Sequence, residues 1–185
     1  MMNSSIRERI KNMVLIALFA VIIAVCAWVH IPTLPIPYSM QNFGVFIAIG
    51  ILGGRRAFFA IAVYLAIGAV GIPVFSGFTG GFGRLFGETG GFLLGFLAIA
   101  LISWCITSFF KRGTASVFVS ILIGQLVSYA IGVFWYWFFY AEGGSDASFS
   151  GILAMCVLPF LIPDIVKIFV ATVISDRVKR ILKIL

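Results

Sequence analysis

Asp164 and Lys167 stand three residues apart in LIPDIVKIF, and Arg84 and Glu88 four apart in GRLFGET. On a helix either spacing brings both charges to one face, where they meet as an ion pair. A carboxylate beside an ammonium has a second use. Set in an apolar pocket, it recognises a ligand that carries both N–H donors and a carbonyl. A guanidinium likewise holds a carboxylate in a two-point fork. Spacing alone leaves both readings open for each pair: self-neutralising structural ions, or a recognition point. Pro163 suits a first helical turn, because its missing N–H is no loss there, and Asp164 would then sit where the helix dipole favours a negative charge.

These charges are costly because of the chain around them. Hydrophobic residues make up 62% of the 185-residue sequence and charged ones 10%, with a mean hydropathy of +1.18. A water-soluble domain carries roughly a quarter of its residues charged. The solvent is therefore lipid, and we expect an all-α integral membrane protein, a single domain over residues 1–185. An ionised group at membrane depth costs about 3 kcal/mol or more, so it faces a cavity or a partner.

Runs near the roughly 20 residues needed to cross the hydrocarbon predict six spans. They cover Lys11 to Val29, Ser39 to Leu52, Ala57 to Val70, Gly90 to Phe110, Ser116 to Ala141, and a last helix following Pro163, with a shorter apolar element from Phe149 to Leu161 before it. Basic residues flank alternate ends: Arg7, Arg9 and Lys11; Arg55 and Arg56; Lys111 and Arg112; Arg177, Lys179, Arg180 and Lys183. The bias of Lys and Arg toward cytoplasmic loops makes the expected topology N-in, C-in. The opposite loops hold HIPTLPIPYS, a Gly-rich stretch, and AEGGSDASF with Glu142 and Asp146. The net charge of +7 belongs to this topology rather than to nucleic acid, since the basic residues border apolar runs and form no stripe with aromatics. The first run is nearer a span than a signal core, and we read it as a retained helix.

The Gly-rich stretch FSGFTGGFGRLFGETGGFLLG, Phe75 to Gly95, lets backbone approach a ligand closely. Non-helical backbone at membrane depth survives only where it is buried or lines a cavity. Arg84, Phe78 and Thr79 in this stretch are therefore candidate ligand contacts. Gln41 enters a helix near the outer surface, where ligand contact and a helix-start hydrogen bond are equally open. Trp28, Trp135, Tyr136, Trp137, Phe138 and Tyr140 fit an aromatic belt, though Tyr129 or Trp135 would also stack on a ligand. His30 reads as a lone interfacial loop residue. Cys26, Cys105 and Cys156 lie in different spans without metal spacing, so no metal site and no disulfide framework is expected. No GxxxxGK[ST], HExxH or GxSxG pattern occurs, so the chain carries no Walker loop or hydrolase elbow of its own. Ala20 and Ala24 form a small-xxx-small pair on the first helix, a surface that lets helices pack closely in lipid.

Four ordered motifs, LPIPYSMQNFGV, GAVGIPVFSGF, GRLFGETGGFLLGF and PFLIPDIVK, resemble BioY, the biotin-specific S component of energy-coupling factor (ECF) transporters. The resemblance runs through most of the chain. It implies a six-helix S component in a prokaryotic cell membrane that binds biotin from outside, needs no cofactor, and works with a transmembrane T component and two cytoplasmic ATPase subunits. It also implies that Asp164 and Lys167 contact the ureido ring of biotin, that the first outer loop gates the site, and that Ala20 and Ala24 dock on the T component. One departure is Gly87-Glu88-Thr89-Gly90-Gly91, where the family reads GPTGG, and Glu88 there would neutralise Arg84. Readings from other classes are a stand-alone or proton-coupled carrier, and a membrane scaffold whose buried charges only hold helices together.

Overall fold

The computed structural model describes residues 4–32, 38–110, 113–142 and 149–182. Lys111, Arg112, Pro35, Pro37, Asp146 and Lys183 lie outside them, as do the side chains of Tyr140 and Glu142. The helices, in order, are α1 (Ser4–Trp28), α2 (Gln41–Leu52), α3 (Gly54–Ala69), α4 (Phe82–Leu85), α5 (Gly90–Phe109), α6 (Thr114–Glu142), α7 (Phe149–Cys156) and α8 (Leu158–Leu182). Between α1 and α2, β1 (His30–Ile31) pairs antiparallel with β2 (Tyr38–Ser39); apart from this hairpin and an isolated bridge between Phe75 and Thr79, the regular structure of the described residues is helical.

Among the described residues, four stretches are long and apolar enough to cross a membrane: Ser4–Trp28, Gly90–Phe109, Thr114–Phe139 and Phe149–Ile181. The second and third expected spans are helices of 12 and 16 residues. At 1.5 Å per residue they reach only about 18 and 24 Å, short of the hydrocarbon thickness. The last helix differs from expectation as well. It starts at Leu158 and takes Pro163 inside it, because neighbouring helices re-satisfy the backbone that a proline frees in a membrane bundle. Asp164 is thus a full turn and more from the helix start, and the dipole is not what holds its charge.

Glycine brings α5 and α6 together. A Cβ on Gly124 would lie 2.8 Å from Ile99 Cα, so only hydrogen fits there and the backbones meet directly. The core is built from α1, α2, α3, α5 and the inward faces of α6 and α8, with Ile23, Phe46, Ile49, Ile61, Ile99 and Ile168 fully enclosed. Ala20 and Ala24 belong to this core. In the isolated chain they are 3% and 6% exposed. The α1 residues that point outward are larger: Met13, Val14, Leu18, Val21 and Val25.

Candidate functional site

The site forms where α2, α6 and α8 meet beneath the β1–β2 hairpin. Asp164 and Lys167 are 3% and 6% exposed, and Lys167 Nζ lies 3.1 Å from Asp164 Oδ1. Removing a charge from water costs several kcal/mol unless hydrogen bonds replace the hydration, and here they do. Asp164 Oδ1 also accepts from Asn42 Nδ2 at 2.6 Å. Its Oδ2 accepts from Tyr129 Oη at 2.5 Å and from Gln125 Nε2 at 3.1 Å. Those donors use the carboxylate's acceptor sites. Lys167 donates in addition to Ser39 O at 2.9 Å and Asn42 Oδ1 at 3.0 Å, and lies 4.2 Å from the centre of the Tyr38 ring. Tyr38 in turn stacks on Phe160.

This cluster lines a cavity of about 80 Å³ whose other walls include Phe92, Phe96, Ser128, Cys156 and Phe160. A second cavity of about 80 Å³ shares Ser39, Phe92 and Phe96 with it and is lined by Arg84, Gln41, Ser76 and Thr89. The two adjoin, with the ion pair in one and the guanidinium in the other.

Three buried polar atoms in these walls have no hydrogen-bond partner among the described residues: Gln125 Oε1 in the first cavity, Gln41 Nε2 and Ser76 Oγ in the second. The orientation of Gln125 follows from chemistry. An ionised carboxylate only accepts, so Nε2 must face Asp164 and Oε1 is left as a spare acceptor. A buried polar group without a partner costs about 1–3 kcal/mol, a cost that a ligand with the matching group removes.

Of the expected residues, the structure brings Asp164, Lys167 and Tyr129 into the first cavity and Arg84 and Gln41 into the second. Tyr129 is a donor to Asp164 rather than a stacking surface. Arg84 is not paired with Glu88: the ion pairs among the described residues are Lys167–Asp164 and Arg180–Asp176, and Glu88 is exposed. Phe78 and Thr79 line neither cavity. Phe78 is 61% exposed, takes a left-handed φ of 55°, and stacks on Trp28. Thr79 Oγ1 donates to Ser76 O and its carbonyl accepts from Phe75 N, closing the loop on itself. Trp28 donates through Nε1 to Pro73 O, so it fastens this loop to the end of α1 as well as facing the surface. Trp135 is spent on Gly87 O and lines neither cavity. Sequence reasoning missed Asn42, Gln125, Ser39, Tyr38 and Phe160. Gln125 had a signal, as an amide in the middle of an apolar helix.

The BioY family model matches residues 2–184. The chain belongs to the BioY family. It is similar to the biotin transporter BioY2 of Lactococcus lactis subsp. cremoris, 37% identical over 175 residues that cover 94% of this chain and 93% of that one. It is also similar to a probable biotin transporter BioY of Pyrococcus horikoshii, 37% identical over 91% of this chain and 96% of the relative, and to the biotin transporter BioY of Thermotoga maritima, 32% identical over 92% and 97%. Its fold matches the crystal structure of an S component for biotin from an ECF-type ABC transporter, with a TM-score of 0.82 and 22% identity over 97% of this chain and 95% of that one. The BioY fold therefore frames both cavities.

Proposed function

We propose that this BioY-family chain is a biotin-binding S component of an ECF-type transporter, and that the two adjoining cavities take the two ends of one biotin molecule. The observation that carries the reading is their polarity. The first cavity presents a satisfied ion pair with one spare acceptor, Gln125 Oε1, between aromatic walls. The second presents a guanidinium and two spare partners, Gln41 Nε2 and Ser76 Oγ. Biotin has the complementary order: a ureido ring with N–H donors and a carbonyl, an apolar bicycle and chain, and a terminal carboxylate. In this pose the ring lies against Asp164, Lys167 and Gln125, and the carboxylate meets Arg84 and Gln41.

Each cavity, at about 80 Å³, is smaller than the roughly 300 Å³ and upward of an ordinary small-molecule pocket. Binding therefore requires a wall to move outward. The β1–β2 hairpin is that wall: it supplies Ser39 O to Lys167 and the Tyr38 ring over it, and its strands are two residues each.

In the membrane the chain spans six times, N-in and C-in, with the short α2 and α3 completing the set. The support is that Arg55 and Arg56 and the α8 basic end lie at the opposite end of the bundle from the Asp164 cluster, as the bias of Lys and Arg toward the cytoplasm requires. The membrane is the plasma membrane of a prokaryote. We infer that the chain works with a T component and with two ATPase subunits that hydrolyse ATP; the support is its likeness to an S component of an ECF-type ABC transporter. Competition on the purified chain tests the pose: biotin should displace labelled biotin at least tenfold better than its primary amide, and equal potency would exclude Arg84 as the carboxylate partner. Uptake in cells without the ATPase subunits tests the transport assignment, which predicts none above background.

A further inference from the structure

At the end of the bundle opposite the Asp164 cluster, the turn between α2 and α3 opens into a cavity of about 500 Å³. Arg55 and Arg56 on α3, Asn12 on α1 and Trp104 on α5 line it. α2 and α3 are short, at 12 and 16 residues. Their connecting turn is recessed between the longer α1 and α5, and Gly54 is packed on the Trp104 backbone, where an added Cβ would lie 2.3 Å from Trp104 N.

Arg55 sits 5.9 Å from the centre of the Trp104 ring. The side chains of Arg55, Arg56 and Asn12 make no hydrogen bond or ion pair with any described residue, and neither ion pair among those residues involves this end of α3. Two cations thus share a recess, and no acid among the described residues pairs with either. Two exposed apolar rows run from the cavity toward the middle of the bundle, Phe59 then Val63 on α3 and Trp104 then Leu101 on α5. The two helices pack side by side and run antiparallel.

We propose that this recess binds an anionic phospholipid. Arg55 and Arg56 hold the phosphate, with the fork geometry suited to it, the Asn12 amide donates to a headgroup oxygen, and an acyl chain lies along Phe59, Val63 and Leu101. A basic pocket between membrane helices is the recognised setting for an anionic headgroup, and here the apolar rows start at the charges. A soluble phosphate would use the arginines but not the rows. The site is separate from the biotin cavities, so it stands or falls independently of the biotin reading.

Native mass spectrometry of the detergent-purified chain tests it, with phosphatidylglycerol, phosphatidylcholine and inorganic phosphate as separate probes. The expected result is one phosphatidylglycerol retained per chain in preference to phosphatidylcholine. Retention should fall at least tenfold in the Arg55→Gln, Arg56→Gln double variant, while that variant binds biotin as the unaltered chain does. Undiminished retention in the double variant overturns the proposal. So does equal retention of both lipids by the unaltered protein, a measurement that needs no variant. Displacement of phosphatidylglycerol by millimolar inorganic phosphate assigns the recess to a soluble anion and overturns the lipid assignment. A double variant that keeps the lipid but no longer supports uptake with its partners marks a protein-docking surface, and overturns it too.

Discussion

Lys167 Nζ stands 3.1 Å from Asp164 Oδ1, one turn apart on α8, with both side chains sealed from solvent. Each ion is the other's counter-charge, and Asn42 bridges them, donating to the carboxylate and accepting from the ammonium. The pair is thus a preorganised unit whose members cannot be altered singly without leaving an uncompensated charge at membrane depth.

Asp164→Asn leaves Lys167 buried without its counter-ion, a loss of about 3–5 kcal/mol for breaking a buried pair. We expect biotin affinity to fall by at least 100-fold, read by equilibrium binding to purified protein. Asp164→Asn with Lys167→Met removes both ions and should recover thermal stability in detergent relative to the single variant, but not biotin binding. Recovery of binding would show the charges to be structural only.

Gln125→Leu keeps approximate size but removes the donor to Asp164 Oδ2 and the spare acceptor. A hydrogen bond to a charged group is worth about 1.5–3 kcal/mol, so biotin affinity should fall roughly 10- to 100-fold. The readout is a titration of binding, with helix content by circular dichroism to show that the fold is kept.

Arg84→Gln should weaken binding of free biotin about 10-fold or more, while leaving that of biotin amide within about twofold, because the variant loses only the charge that the carboxylate meets. Glu88→Gln is expected to change neither, since Glu88 is exposed and not paired with Arg84.

Much of this site was legible because lipid makes ions conspicuous. Asp164, Lys167 and Arg84 stood out as charges in apolar runs, and each lines a cavity. The amides were harder to see. Asn42 and Gln125 carry no charge, and their role depends on three helices converging on one carboxylate, which no local pattern encodes. Most helix boundaries were legible to within a few residues, but the described residues form eight helices, with four stretches of spanning length, rather than six even spans, and Pro163 misplaced the start of α8: a proline reads as a beginning, whereas the preceding Leu158–Ile162 is already helical. Residue type alone also does not reveal intramolecular partners: Phe78 stacks on Trp28, Trp135 donates to Gly87 O, and Ala20 and Ala24 pack in the core around Ile23 and Phe46.

Gly124→Ala tests the packing that holds the α6 wall in place. The added methyl would meet Ile99 Cα at 2.8 Å, a backbone contact that side-chain rotation cannot relieve. Overpacking of this kind costs about 1–3 kcal/mol. A lowered unfolding temperature in detergent is expected, together with weaker biotin binding because Gln125 and Tyr129 shift with the helix.

The most direct measurement is isothermal titration of biotin into the purified chain, without ATP or partner subunits, alongside Lys167→Ala. Saturable binding at one biotin per chain is expected in the unaltered protein, with a loss of at least 100-fold in the variant. Equal affinity in the two, or no saturable binding by the unaltered chain, would contradict that expectation.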